Sequence, residues 1–204
     1  CLSRGLGDVY KRQGLTGGIG AGKTTALDAL ERLGAVVLST DAVVHELYLD
    51  NDVRDAVVER FGPRAAPDGA VDRSEVARLA FATAEDRAWL ERLLWPRVGA
   101  RMTAWREALS EAAPPARAAV VEVPLLFESG MADAFDATIA VVADESVRAE
   151  RAEARGHAAL DERGARQLSQ EEKAQRATYI VVNDGTEHDL EGKLSAVLEK
   201  LEKS

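Results

Sequence analysis

Gly17-Gly18-Ile19-Gly20-Ala21-Gly22-Lys23-Thr24 sets two glycines, a lysine and a hydroxyl at the spacing G-x-x-x-x-G-K-[ST]. Glycine lets a backbone curl until successive N–H groups converge on one phosphate, and a helix opening there adds the positive end of its dipole. A lysine at this offset reaches the β- and γ-phosphates as a point charge, and the hydroxyl after it can ligate Mg²⁺. Gly18, Ile19, Gly20, Ala21, Gly22, Lys23, Thr24 and Thr25 are therefore the candidate nucleotide-binding residues. Lys23 is also a candidate catalytic residue, and Thr24 is the candidate metal ligand. ATP and Mg²⁺ are the expected pair. A glycine-rich turn before a helix sometimes binds nothing, but the lysine and threonine at the required offsets argue against that here.

Such a loop is shared by kinases, GTPases and motor ATPases. A GTPase needs a magnesium-sensing D-x-x-G after its third strand, and the match at Asp161–Gly164 falls inside a charged helical stretch. The N-K-x-D guanine reader is missing, and motor ATPases are usually larger. A second cationic feature favours a small-molecule kinase: Arg148, Arg151, Arg155 and Arg166 recur near helical spacing. A solvated face is the usual explanation of such a run. Phosphoryl transfer, however, needs mobile cations over the γ-phosphate, and arginine offers a bidentate fork. Arg151 and Arg155 are the expected catalytic members, while Arg148 fits either reading. Glu122, at a strand end, is either structural or an acid for a Mg²⁺-bound water.

These residues need a scaffold, and hydrophobic periodicity supplies one. Apolar runs at Ala35–Leu38, Ala118–Val123, Ala137–Ala143 and Tyr179–Val182, with a first strand ending near Leu15, read as buried strands. Helical patterns lie between them, from the loop to about Leu33, then Asp41–Tyr48 and about Val53–Phe61. Others follow at Arg73–Ala82, Ala84–Leu94, Pro96–Glu111, Asp144–Arg155, Leu160–Arg176 and Asp189–Leu201. Gly62–Ala70 reads as loop. Strands alternating with helices and apolar throughout mean a parallel sheet covered on both faces. The expected fold is a three-layer α/β/α P-loop kinase, one domain over 14–204 with a helical substrate-side insertion at about 50–112 and an Arg-rich lid at about 145–176.

Composition narrows the partners. The chain has 204 residues, 46% of them hydrophobic, with 26 Lys and Arg against 35 Asp and Glu and a net charge of −9. A broad nucleic-acid surface needs a basic field, so none is expected, and an anionic substrate must meet a local basic site. Cys1 is the one cysteine, which excludes an intrachain disulfide. No apolar run approaches the roughly 20 residues of a membrane span, no secretory h-region opens the chain, and a cytoplasmic location is expected. Cys1–Gln13 shows no regular period, and Tyr10-Lys11-Arg12-Gln13 stand where a buried strand is normally apolar. This leader, 1–13, reads as foreign sequence replacing the native start of the first strand; a natural polar arm is the alternative.

Leu15–Thr25 (LTGGIGAGKTT) resembles the P-loop of dephospho-CoA kinases. The resemblance continues through Gly34-Ala35-Val36-Val37, Asp41, Phe61-Gly62, Asp68-Gly69 and Asp72-Arg73. It runs on through Pro124-Leu125-Leu126-Phe127-Glu128 to Arg151, Arg155, Arg166, Gln170 and Asn183-x-Gly185, in family order from Gly14 to Leu201. It implies phosphorylation of the ribose 3′-hydroxyl of dephospho-CoA by ATP, in a monomer or weak homo-oligomer. It also implies that Asp41 is the base or orienter for the attacking hydroxyl, where its residue type alone would equally suit a helix-start carboxylate. Asn183 and Gly185 would frame the adenine, or form a plain turn.

Three departures stand out. Ser39-Thr40-Asp41 replaces the usual Asp-Ala-Asp, Trp95-Pro96 replaces His-Pro, and Arg176-Ala177-Thr178 replaces Arg-Ala-Asp. An acceptor contact at Trp95 would have to be stacking. Trp89 and Trp105 read as core. The rival readings are another small-molecule kinase, such as a nucleoside monophosphate kinase, and a nucleotide-binding switch without transfer activity.

Overall fold

The computed structural model describes residues 11–110, 116–154 and 167–203. In chain order the elements begin β1 (Arg12–Gly17), α1 (Lys23–Arg32), β2 (Val36–Ser39), α2 (Thr40–Leu47), α3 (Asn51–Phe61), α4 (Arg73–Ala80) and α5 (Ala84–Ser110). They continue with β3 (Ala119–Glu122), β4 (Ala137–Val142), α6 (Glu145–Ala154), α7 (Gln170–Arg176), β5 (Tyr179–Val182) and α8 (Glu187–Lys203). Two compact units emerge, one of Cys1–Ser39 with Ala112–Ser204, the other of Thr40–Glu111.

The first unit is built on a five-stranded sheet in the order β2-β3-β1-β4-β5, parallel at every pairing. Both faces of its central strands β1, β3 and β4 are covered, whereas Ile180 and Val182 of the edge strand β5 are exposed. On one face, α1 contributes Ala26, Leu27, Ala29 and Leu30, and α8 contributes Leu190, Leu194 and Leu198 at one-turn intervals. These pack with Leu15, Val120, Ile139 and Val141 into a single core. On the other face, Gly14 lies against the side chains of Leu126 and Phe135.

Lys11, Arg12 and Gln13 fall within the described residues, and the rest of the expected foreign leader lies outside them. Arg12 opens β1 and forks onto Asp136, which also accepts its backbone N–H at 2.8 Å. That guanidinium holds the Asp136 carboxyl below the usual carboxylate range. Gln13 is different. It is wholly buried between Val120 and Ala137 in the register, and neither polar atom of its side chain has a partner.

The described part of the second unit is helical, with Val43, Leu47, Val53, Val57, Val76, Ala80, Leu94 and Val98 inside. Gly62–Ala70 holds two short 3₁₀ turns, Pro63–Ala65 and Pro67–Gly69. Asp72 caps α4 by accepting the N–H groups of Ser74 and Glu75. Phe61 meets Trp89 edge to face at 5.4 Å. The two helices expected on either side of Trp95 are one, α5, with Pro96 inside it. Proline removes a helical N–H and crowds the preceding turn. The carbonyl that loses its helical donor is that of Arg92, four residues back, while the Arg97 guanidinium donates to the neighbouring Leu93 carbonyl at 2.8 Å.

Candidate active site

β1 ends at Gly17 and α1 begins at Lys23, so Gly18–Gly22 is the loop joining them at the carboxyl edge of the sheet. Open α/β sheets bind ligands at that edge, where the strand order reverses. Here the reversal is between β1 and its neighbours β3 and β4. Ala21 N–H closes the loop on the Gly18 carbonyl, and the Lys23 ammonium also bonds that carbonyl at 3.2 Å. Thr24 is exposed in the first turn of α1, and Thr25 is half-buried.

Two elements distant in sequence hold the loop. The Arg148 guanidinium of α6 donates to the Ile19 carbonyl at 2.9 Å and lies over Gly18. Asn183, buried just after β5, donates its side-chain amide to the Ala21 carbonyl at 2.9 Å. Arg151, one turn on from Arg148, donates to the Asn183 carbonyl at 3.0 Å. Gly22 has φ +89°, and a Cβ there would strike the Asn183 amide nitrogen.

The structure thus gathers Gly18–Thr25, Arg148, Arg151 and Asn183. Gly185 is exposed two residues beyond Asn183, and between them the Asp184 carboxylate accepts the Asp144 N–H at 2.6 Å, ahead of α6. Asp41 is exposed in the first turn of α2, in the second unit. Arg155 and Arg166 lie outside the described residues. Glu122, buried at the end of β3, accepts the Ser39 hydroxyl at 3.0 Å. Ser39 stands where the resemblance predicts an acid, so one carboxylate serves this corner instead of two. Trp95 is 53% exposed on α5.

One contributor had no signal in the sequence. Lys173 of α7 is fully buried, with its ammonium 2.5 Å from the Pro124 carbonyl, 3.0 Å from Glu128 and 3.5 Å from the Thr16 hydroxyl. Burial pushes its pKa down, and Glu128 opposes the shift. Helix α7 is polar along its length, so nothing in its composition marks Lys173 as the inward residue. Glu128 also accepts the Leu168 N–H at 2.9 Å, so the PLLFE acid lies at the centre of this cluster.

A family model described as dephospho-CoA kinase matches residues 13–189. The dephospho-CoA kinase of Deinococcus radiodurans is 41% identical over 198 residues, covering 94% of this chain and 93% of its own. That of Moorella thermoacetica is 38% identical over 189 residues, covering 90% and 87%. Among solved structures, TT1252 from Thermus thermophilus superposes with a TM-score of 0.76 at 34% identity, over 94% of this chain and 98% of that one. Shikimate kinase from Aquifex aeolicus, 14% identical with a TM-score of 0.51 over 93% and 96%, shares the fold.

Proposed function

The chain belongs to the dephospho-CoA kinase family, and we propose that it transfers the γ-phosphoryl group of ATP to the ribose 3′-hydroxyl of dephospho-CoA. The products are ADP and CoA, and the reaction is the last of coenzyme A biosynthesis. The observation that carries the nucleotide half is the braced loop: Gly18–Gly22 held at Ile19 by Arg148 and at Ala21 by Asn183, with Lys23 and Thr24 opening α1.

In this reading Lys23 and the loop N–H groups neutralise charge on the phosphates as the transfer proceeds. Arg151 and Arg155 add cations at the γ-phosphate side, and Asn183 and Gly185 border the adenine. The Thr24 hydroxyl would hold Mg²⁺. The donor set suits that ion, which keeps several waters and takes few protein groups beside substrate phosphates; among the described residues no three of His, Cys, Asp and Glu gather. Bound there, the ion would draw charge from the phosphate oxygens. Asp41, two residues past the end of β2, aligns the attacking hydroxyl and takes its proton. The proposal includes a cytoplasmic location and a monomer or weak homo-oligomer.

An acceptor panel with ADP release as readout tests the substrate. Turnover with dephospho-CoA and none with AMP is expected, and a preference for AMP would sink the acceptor assignment. A positioned general base contributes about 10²–10⁴-fold, so Asp41→Asn should lose about that in kcat while ATP affinity stays within a few-fold. Normal turnover by Asp41→Asn would reduce this carboxylate to a helix-start residue.

A further inference from the structure

Helix α6 carries both arginines that reach the loop and its brace, and it hangs from the sheet by the two-residue joint Ala143-Asp144. The β4–β5 ladder ends one residue earlier, at Val142 opposite Val182. Ala143 is buried, so both polar groups of its backbone need partners away from water. One side chain supplies both. The Ala143 N–H donates to Gln170 Oε1 at 3.1 Å, and Gln170 Nε2 donates to the Ala143 carbonyl at 2.8 Å. A primary amide can donate and accept at once, which a carboxylate or an ammonium cannot.

Gln170 is itself firmly placed. It is the first residue of α7, where Ser169 and Glu172 form a reciprocal capping box. One turn on, Lys173 ties α7 to Pro124, Glu128 and, at the end of the strand that feeds the loop, Thr16. The strand bearing the loop and the joint bearing the arginines are thus referenced to one short helix.

We propose that Gln170 is a positioning residue for nucleotide binding: by clasping Ala143 it fixes how α6 leaves the sheet, and so seats Arg148 on Ile19 and Arg151 on Asn183. The inference rests on the reading of the loop as the ATP site, but not on the identity of the acceptor.

A double-mutant cycle on ADP affinity tests it, with calorimetry on the full chain and a thermal melt of each variant. Gln170→Ala and Arg148→Ala should each weaken ADP by about 3- to 10-fold, the range of a lost hydrogen bond. The double variant should be no weaker than the worse single by more than about twofold, because interacting residues are non-additive. Gln170→Glu keeps size and the acceptor but turns an oxygen toward the Ala143 carbonyl, and should match Gln170→Ala; it also serves if the alanine variant fails to fold. Multiplying losses, or unchanged ADP affinity in the folded Gln170 variants or in Arg148→Ala, would overturn the proposal. A lower melting temperature with unchanged affinity would mark Gln170 as structural alone. Because ADP binding needs no acceptor, failure to use dephospho-CoA would count against the acceptor assignment and leave this result standing.

Discussion

Asn183 and Gly22 occupy the same space from opposite sides, and the fit between them sets the shape of the loop. The Asn183 amide reaches the Ala21 carbonyl only because residue 22 has no side chain, and Gly22 takes a φ of +89° that disfavours any other residue. Gly22→Ala should therefore cost about 1–2 kcal/mol for the left-handed backbone alone, with the Asn183 collision added, and ADP affinity should fall with it. The collision part should be relieved by adding Asn183→Ala, which clears the space. Calorimetry on the single and double variants checks this, and no recovery in the double would mean that backbone strain dominates. Asn183 also shows what spacing leaves unsaid. Its place after the last strand is readable from the sequence, whereas the direction of its side chain depends on a loop some 160 residues earlier, as the separation of 162 positions makes plain.

Among the elements, β2 to β5 and the parallel sense of the sheet were legible because each of these strands is a short apolar run between helical patterns, whereas β1, RQGLTG, was marked only by the loop that follows it. The loop was legible because its chemistry dictates its residue types. What the sequence hid were contacts with no local cause. Pro96 reads as a helix start, yet α5 continues through it from Ala84 to Ser110. Arg148 and Arg151 look alike along the chain, and the fold puts Arg148 directly on the loop while Arg151 acts on its brace. Strand β1 holds the opposite case, a polar residue that the sequence flags as out of place and that the structure leaves unsatisfied. Gln13 lies on the face of Leu15, where α1 and α8 build the core, with no partner for its amide. A buried polar group without a hydrogen bond costs about 1–3 kcal/mol. Gln13→Leu should recover that much, raising Tm by roughly 2–4 °C per kcal/mol in a chain of this size. A thermal melt decides it, and a lower Tm would show that the cavity does not accept a branched side chain. The neighbouring Arg12→Ala should act in the other direction, since it strips Asp136 of its fork.

At the scale of the whole molecule, a chain of net charge −9 must hold its cations where phosphates arrive, and it buries one of them completely. Lys173 stitches together parts that are far apart in sequence, with Thr16 157 positions away and Pro124 49 away. Taking an ammonium out of water is costly, and the Glu128 carboxylate and the Pro124 carbonyl offset that cost only while all three are present. Lys173→Met should thus destabilise by about 3–5 kcal/mol, because it strands Glu128 inside the protein. Lys173→Met with Glu128→Gln should lose less than the single variant, since no charge is left unpaired. The pH dependence has a definite sign. Folding lowers the Lys173 pKa, chiefly through burial. Between the lowered folded value and the unfolded one near 10.4, the unfolded chain holds more protons at this site than the folded one. Stability at this site therefore rises with pH through that window, and below it the full penalty applies. Wild type measured against the Lys173→Met, Glu128→Gln double variant should gain ground as pH is raised from 7 toward 10 in urea unfolding. A flat difference would mean that Glu128 matches the desolvation of Lys173 in full, and a falling one would mean that the pair is a net stabiliser whose loss of charge the fold cannot tolerate.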